Sequence, residues 1–212
     1  MKVGSRARSA IPPVEPGTYF AVCIGVVDLG EQEVTYNGKT RYTNQLQIIF
    51  ELPEELIEID GEQQPRWLSR KFTVSASAKG SLRPFIEAWQ GKKFSDEAFA
   101  DFELFDLAGR AALLSVVLSE DGQYANIASA AAIPKGMPAP KAKSELITYD
   151  VEAWDDAAFE KLPEYLQELI RKSTQYRRAH LPEDEVSVEA AERTAVEAAE
   201  EDAPQDGGDI PF

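Results

Sequence analysis

Five stretches of this sequence have the apolar and polar pattern of β-strands, and one helical stretch lies between the third and the fourth. The five stretches cover residues 18–27, 44–52, 67–75, 109–119 and 123–133. A helix that begins at Ser81 and ends at Gly91 is predicted because apolar residues follow the helical period there: Leu82, Phe85, Ile86 and Trp89. This order restricts the first 133 residues to a mainly β domain with a helix between strands 3 and 4.

The alternation within the strands assigns their faces. In the second strand we expect four buried side chains, Leu46, Ile48, Phe50 and Leu52, and three exposed ones, Gln45, Gln47 and Glu51. In the third strand the core side is formed by Leu68, Phe72 and Val74, and the outward side by Trp67, Ser69, Lys71 and Thr73. Arg70 falls on the core side of this count, which predicts either a β-bulge or a different register.

The predicted fold is mainly β, a five-stranded OB-fold barrel with a helix between strands 3 and 4. Other small barrels and an α+β sheet are the alternatives. Residues 1–16 form an irregular N-terminal arm, 17–133 the OB domain, 134–145 a Pro/Lys linker, 146–182 a short helical appendage and 183–212 a disordered acidic tail. Within the domain, residues 30–42 and 54–66 are expected to be polar connections, with turns at Asn37-Gly38 and Asp60-Gly61.

The acidic tail holds most of the net charge. Residues 183–212 contain eleven acidic residues and one basic residue, so they account for −10 of the chain's −15. A stretch of this composition buries too little apolar surface to offset its ordering entropy. Its tip, Asp209-Ile210-Pro211-Phe212, ends in three apolar residues, which predicts that Ile210 and Phe212 enter a pocket on a protein partner while Asp209 meets a basic residue beside it.

Several classes of protein are disfavoured. The chain has one cysteine, Cys23, and one histidine, His180, so a disulfide, a Cys/His metal site or a Cys–His nucleophile is not expected. No apolar run reaches the roughly 20 residues of a membrane span, and no apolar stretch follows the charged N-terminus as in a signal peptide. We therefore expect a cytoplasmic protein that is not an enzyme and has no catalytic residues, cofactor or metal.

The chain resembles the single-stranded DNA-binding proteins of tailed bacteriophages. The similar stretches are PGTY at 16–19, GSLR at 80–83 and FEKLPEYLQ at 159–167, while DIPF at 209–212 resembles the tail tip of bacterial single-stranded DNA-binding proteins. The resemblance implies an OB domain that binds single-stranded DNA with little sequence preference, in the host cytoplasm if phage-encoded. It also implies that Asp209, Ile210, Pro211 and Phe212 recruit replication, recombination and repair proteins. Residues 146–182 depart from the bacterial pattern and favour a dimer over a bacterial-type tetramer.

Candidate DNA contacts follow from the need for stacking faces and cations. The predicted stacking residues are Tyr36, Tyr42, Trp67 and Tyr124, and the predicted phosphate contacts are Lys39, Arg41, Arg66, Arg70, Lys71 and Lys79. Residues 1–145 have 16 basic and 19 acidic side chains, a weak balance for a nucleic-acid binder. Two alternatives therefore stay open: a strand-annealing or recombination-mediator protein, and a protein–protein adaptor that binds no DNA.

Overall fold

The computed structural model of the chain describes residues 12–36, 38–59 and 61–180, excluding the side chains of Tyr36 and Lys39. Within these ranges the chain forms one sheet flanked by short helices. The elements are β1 (Gly17–Tyr36), β2 (Lys39–Ile59), β3 (Glu62–Thr73), α1 (Leu82–Gln90), α2 (Asp96–Ala100), a 3₁₀ turn (Leu104–Leu107), β4 (Ala111–Leu118), β5 (Ala125–Ala131), β6 (Ile147–Tyr149), α3 (Asp156–Lys161), α4 (Glu164–Ile170) and α5 (Thr174–His180). No helix in this part of the chain is long and apolar enough to cross a membrane.

The sheet has the strand order β3–β2–β1–β4–β5, with antiparallel neighbours, and β6 pairs in parallel with β1. The protein is therefore mainly β, with α1 between β3 and β4 as the sequence predicts. The expected closed barrel is corrected to an open sheet, because the strand pairing of the described residues leaves β3 and β5 at its two ends. Across the gap, the Arg70 guanidinium donates to the carbonyls of Ile127 (3.0 Å) and Ala128 (2.8 Å).

The two polar connections expected at 30–42 and 54–66 consist of β-strand on both sides of the turns at Gly38 and Gly61. β1 and β2 pair up to Tyr36 opposite Lys39, and β2 and β3 pair up to Ile59 opposite Glu62. Backbone pairing needs no apolar side chains, so hydrophobic periodicity does not detect these extensions. The glycines in the two predicted turns have the left-handed conformation that tight hairpins require, with φ of 75° at Gly38 and 86° at Gly61.

The first hydrophobic core lies between one face of the sheet and helix α1. Ser81 and Gly91 flank α1 as predicted, and Gly91 has a φ of 65°. The ring of Trp89 packs 5.1 Å from that of Phe50, and its Nε1 donates to the carbonyl of Ala111. The four β2 residues expected to be buried all belong to this core, namely Leu46, Ile48, Phe50 and Leu52.

A second hydrophobic core covers the opposite face of β1. Irregularities in the β1–β2 ladder between Cys23 and Gly25 and between Asp28 and Gly30 change which side chains face each core. The second core joins β1, β2 and β6 to helices α3 and α4, through Ile24, Val27, Leu29, Ile49, Tyr149, Phe159, Leu166 and Ile170. The central strand is therefore apolar on both faces, which a simple inside–outside alternation does not predict.

This second layer also corrects the exposed face assigned to β2. Gln45, Gln47 and Glu51 are all buried, Glu51 completely. The Glu51 carboxylate accepts hydrogen bonds from the backbone amides of Lys143 (2.6 Å) and Ser144 (2.9 Å). The end of the segment predicted as a linker is thus fixed to the sheet by a buried carboxylate with two donors.

A close backbone approach helps to dock the C-terminal helices. Gly30 has a φ of 71°, and a Cβ there would lie 2.7 Å from Oε1 of Gln175 and 2.8 Å from Cβ of Ser173. The same Gln175 oxygen accepts a hydrogen bond from the amide of Glu31. Glycine at position 30 therefore allows the start of α5 to contact the β1 backbone directly.

Candidate nucleic-acid interface

A groove lies where the far end of the β2–β3 hairpin faces the turn between β4 and β5. It has a volume of about 500 Å³, and its walls include Ile57, Arg66, Trp67, Leu68 and Tyr124. The β2–β3 ladder has an irregularity between Leu52 and Leu56, just before the groove, and pairing resumes with Leu56 opposite Pro65. The groove therefore brings three predicted DNA contacts together, although Arg66 and Tyr124 are 58 positions apart in the sequence.

The two aromatic side chains of the groove are unusually exposed. Trp67 retains 42% of its surface and Tyr124 retains 65%. Removing a large aromatic group from water is favourable, so two exposed rings in one concave surface indicate a ligand or partner surface. A base that stacks on an aromatic ring contributes about 1–3 kcal/mol, which suits both rings to single-stranded nucleic acid.

The turn that presents Tyr124 is held by its own polar groups. The amide of Tyr124 donates to Oγ of Ser119, and the amide of Ser119 donates to the carbonyl of Tyr124. Ser119 Oγ and the Gln123 amide both donate to the carboxylate of Asp121. These bonds hold the pKa of Asp121 below its usual value, the Ser119 hydroxyl having the largest effect. The backbone is thereby fixed while the tyrosine ring remains exposed.

A row of exposed side chains continues from Trp67 along β3. Ser69, Lys71 and Thr73 are exposed, whereas Arg66, Leu68 and Arg70 are partly buried and Phe72 is fully buried. Because strand side chains alternate, Lys71 projects from the same face as Trp67, about 13 Å along the strand. The outward assignment of this row is confirmed, and Lys71 lies on the same side of β3 as Trp67. The core-side assignment of Val74 is wrong, because Val74 is 40% exposed.

Tyr165 on α4 adds an aromatic group beside this row, and the sequence analysis did not select it. It retains 44% of its surface, and its hydroxyl interacts with the side chain of Gln47. Gln47 in turn donates to Oγ of Ser69. Burial raises the pKa of Tyr165, and the Gln47 contact opposes that increase. In the sequence, Tyr165 is distinguished only as a tyrosine that lies outside the apolar positions of a predicted helix.

The charges at the groove are mixed. Arg66 lines the groove. Tyr19 lies on β1, which pairs with β2, and burial raises its pKa. Glu55 and Glu15 add to this increase, and Arg66 opposes it. One guanidinium and two carboxylates thus act at the same place. The described part of the groove therefore combines two exposed aromatic rings with charges of both signs.

Arg70 is partly buried on the core side of β3, where the residue count places it without a bulge. Its guanidinium is 5.0 Å from the ring centre of Phe72 and 5.2 Å from that of Phe85, in addition to its bonds to β5. Partial burial lowers its pKa. These contacts give Arg70 a structural function in joining β3 to β5, and its role in phosphate binding stays a prediction.

The remaining predicted contacts lie outside the walls of the groove. Arg41 and Tyr42 are on the β1–β2 hairpin, opposite Val34 and Glu33. Lys79 is exposed in the loop before α1. The positions of Tyr36 and Lys39 end the same β1–β2 hairpin, but their side chains lie outside the described part, as do Asp209, Ile210, Pro211 and Phe212.

Apart from Gln64 and Gln123, the groove residues that the sequence analysis missed are apolar. They include Pro12, Pro13 and Val14, which precede β1, as well as Ile57 on β2 and Pro65 on β3. The first three were assigned to an irregular arm and the last two to a polar connection, since short apolar pieces beside prolines resemble loops.

No cluster of three or more metal-ligating side chains occurs among the described residues. Cys23 is fully buried, and burial raises its pKa to about 12, so its thiol is not poised for nucleophilic chemistry.

In comparisons with known proteins, no family model, no curated protein and no solved structure matches the chain.

Proposed function

We propose that this protein binds single-stranded DNA with little sequence preference, through the groove formed by β2, β3 and the β4–β5 turn. The observation that supports this most directly is the meeting of Trp67, Tyr124 and Arg66 in one groove, with both rings exposed. Two stacking faces and a cation form the minimal combination for sequence-tolerant binding of a single strand.

The topology supports an OB-type arrangement as part of this proposal. The strand order places β3 and β5 at the two ends of the sheet, and Arg70 connects these ends. In OB-folds, oligonucleotides bind across strands 2 and 3 and beside the loop between strands 4 and 5. The groove occupies the corresponding region of this sheet.

The proposal extends to protein partners through the tail tip. Asp209 and the apolar group of Ile210, Pro211 and Phe212 would recruit replication, recombination and repair proteins to DNA held in the groove. This part depends on the sequence of the tip and on its resemblance to bacterial tails. Deletion of residues 209–212 should leave DNA affinity intact and abolish recruitment of host replication proteins to immobilised DNA.

The groove is tested by titrating the full chain with oligo-dT while following tryptophan fluorescence. Trp67 is the exposed one of the three tryptophans, since Trp89 is 2% exposed and Trp154 is partly buried. Strong quenching in the wild type should disappear in Trp67→Ala, and Tyr124→Ala should weaken affinity about 5- to 150-fold. Met137→Ala is the matched control, because Met137 is 53% exposed and lies outside the groove walls.

Fluorescence polarisation of labelled oligo-dT, with unlabelled duplex of equal length as competitor, measures affinity independently of Trp67. The proposal is supported if the unlabelled duplex does not displace the labelled oligo-dT from the protein. Equal competition by duplex, or equal affinity of Trp67→Ala, Tyr124→Ala and the wild type, would show that the groove is not a single-strand site.

One observation favours a protein–protein adaptor as the second candidate function. The hairpin next to the groove includes Glu54, Glu55, Glu58 and Glu62, which repel phosphates and attract a basic peptide. An adaptor with this groove would bind a basic, aromatic-rich peptide and show no polarisation change with any nucleic acid.

A further inference from the structure

Trp67 belongs to two surfaces at once. It lines the groove, and it is also the first side chain of the exposed row on the outward face of β3, which continues with Ser69, Lys71 and Thr73. The groove and the β3 row are therefore continuous through one exposed ring. A single strand that stacks on Trp67 in the groove has an open path along the outward face of β3.

Helix α4 borders the far end of this path. Gln47 lies directly opposite Lys71 in the β2–β3 ladder, where neighbouring strands are about 4.8 Å apart. The hydroxyl of Tyr165 on α4 interacts with the Gln47 side chain, which in turn donates to Oγ of Ser69 at 2.8 Å. The Tyr165 ring thus reaches from α4 to the sheet beside Lys71, and 44% of this side chain stays exposed.

The charges along the β3 row suit a polyanion. β3 has no acidic residue between positions 67 and 73. Glu51, opposite Trp67 in the ladder, is fully buried, and its carboxylate is occupied by the amides of Lys143 and Ser144. Lys71 forms no salt bridge within the described part of the chain. The row therefore offers one unpaired ammonium group, and β3 itself adds no carboxylate beside it.

The acidic residues of α4 determine how a strand would lie on this row. Glu164 and Glu168 are exposed on the same helix as Tyr165, and their carboxylates repel phosphates. The phosphates would therefore lie on the side of Lys71, and the bases would turn toward the Tyr165 ring. The distance of about 13 Å from Trp67 to Lys71 corresponds to about four phosphates at the 3.4 Å spacing of one strand.

We infer that the single-strand site has a second stacking position on α4, where a base packs on the Tyr165 ring while Lys71 contacts a phosphate beside it. This inference rests on the proposed function and gives the helical appendage at 146–182 a direct part in DNA binding. A strand held in the groove continues along the β3 row, and its next bases reach α4. Affinity should therefore increase with oligonucleotide length in a way that depends on Tyr165.

The test measures polarisation of labelled oligo-dT of about 4 and about 12 nucleotides with the full chain, lengths within the range of single-strand sites. The short oligonucleotide fills the groove alone, whereas the long one also covers the β3 row. Tyr165→Ala should weaken binding of the long oligonucleotide about fivefold or more and leave that of the short one unchanged. Tyr165→Phe should match the wild type at both lengths, because the stacking ring is retained.

Lys71→Ala adds a measurement that a purely structural role of Tyr165 would not change. One phosphate contact on a single strand contributes about 0.7 to the slope of log affinity against log salt. The slope for the long oligonucleotide should become shallower by about this amount, and the slope for the short one should not change. Lys135→Ala is the matched control, since Lys135 is an exposed lysine outside the groove walls, and it should keep the wild-type slope.

Photocrosslinking of the wild type locates the base independently of any variant. A long oligo-dT that has 5-iodouracil in place of thymine, at each position in turn, should crosslink to the tryptic peptide of residues 162–171, which contains Tyr165. Crosslinks that form only at Trp67 and Tyr124 would overturn the inference.

The inference and the proposed function fail in different ways. If Trp67→Ala loses binding but Tyr165→Ala binds both oligonucleotides like the wild type, the inference fails and the proposed function stands. Equal weakening of both lengths by Tyr165→Ala, or the same loss in Tyr165→Phe, would show that Tyr165 acts by holding the fold, which also overturns the inference. A wild type that binds oligo-dT of neither length overturns both.

Discussion

Two tryptophans show the difference between the first hydrophobic core and the groove at the end of the sheet. Trp89 on α1 is 2% exposed, packs against Phe50 and has its indole N–H bonded to the carbonyl of Ala111. Trp67 on β3 is 42% exposed in the wall of the groove. The first ring is enclosed by the core and has a partner for its polar atom, whereas the second leaves much of its surface in water.

The same contrast applies to whole strands. β1 is apolar on both faces because α1 and α2 lie toward one face and the C-terminal helices cover the other. β3, at the end of the sheet, has one buried face and one exposed row that begins at Trp67. The helices cover the centre of the sheet, whereas the outward row of β3 stays exposed, so the side chains of that row lie outside the cores and can serve binding.

The largest expected difference in stability is between the two tryptophans themselves. Trp89→Ala should lower the free energy of unfolding by about 3–5 kcal/mol, because it leaves a cavity beside Phe50. Trp67→Ala should change it by less than about 1 kcal/mol, since most substitutions of exposed residues have small effects. Urea denaturation followed by circular dichroism measures both. A similar loss in the two variants would contradict the division between interior and binding surface.

A second substitution tests whether the C-terminal helices belong to the same cooperative unit as the sheet. Leu166 is fully buried in the second core, so Leu166→Ala should cost about 2–5 kcal/mol. Because β1 contributes to both cores, unfolding should stay a single transition by circular dichroism and by tryptophan fluorescence. Two separate transitions would show instead that the helices form an independent layer.

A smaller effect is expected where α5 meets β1. Gly30→Ala should destabilise the protein by about 1–3 kcal/mol, because the residue has a positive φ and its new Cβ would contact Ser173 and Gln175. Gly122 is the matched control, since it has a φ of 69° and a Cβ added there would meet no atom within 4 Å. Gly122→Ala isolates the backbone strain, so the difference between the two variants in urea denaturation reports the helix contact. Equal losses would mean that α5 does not depend on this approach.

The sequence predicted the features that depend on local chemistry. Ser81 and Gly91 identified the ends of α1, and alternation identified the buried residues of β2. It did not predict that Gln47 and Glu51 are buried, because the residues that cover Glu51 are about 90 positions away and no periodicity links them to it.

The candidate site was predicted only in part for the same reason. Residue type was enough to select Arg66, Trp67 and Tyr124, since exposed aromatic and basic side chains suit stacking and phosphate contact. Their meeting in one groove depends on how the β2–β3 hairpin bends toward the β4–β5 turn. Arg70 has the same composition signal as Arg66 and lies on the same side of β3, so neither residue type nor alternation distinguishes them. Only the structure does, because the Arg70 guanidinium donates to the carbonyls of Ile127 and Ala128 on β5.

The smallest expected effect concerns the charged groups around Glu87 on α1, which lie outside the groove. Glu87 is 6% exposed and accepts hydrogen bonds from Lys93 Nζ (2.6 Å), the Phe94 amide (3.1 Å) and Arg83 Nε (3.2 Å). Lys93 makes the largest contribution in lowering the pKa of Glu87 from 4.5 to about 2. A carboxylate whose pKa is lower in the folded state stabilises the protein above pH 4.5, and this stabilisation is lost as the pH falls toward 2.

Glu87→Gln should therefore reduce stability at pH 7, and the difference from the wild type should shrink between pH 4.5 and 2. Urea denaturation over this pH range measures the change, and Glu120→Gln, which removes one exposed carboxylate, tests for an effect of net charge alone. Affinity for oligo-dT at pH 7 should be unaffected, because Arg83 and Lys93 are engaged with carboxylates of the helical region while Arg66 lines the groove. A change in affinity with Glu87→Gln would show that Arg83 or Lys93 contributes to the binding surface. The region around Trp89 would then not be separate from the groove of Trp67.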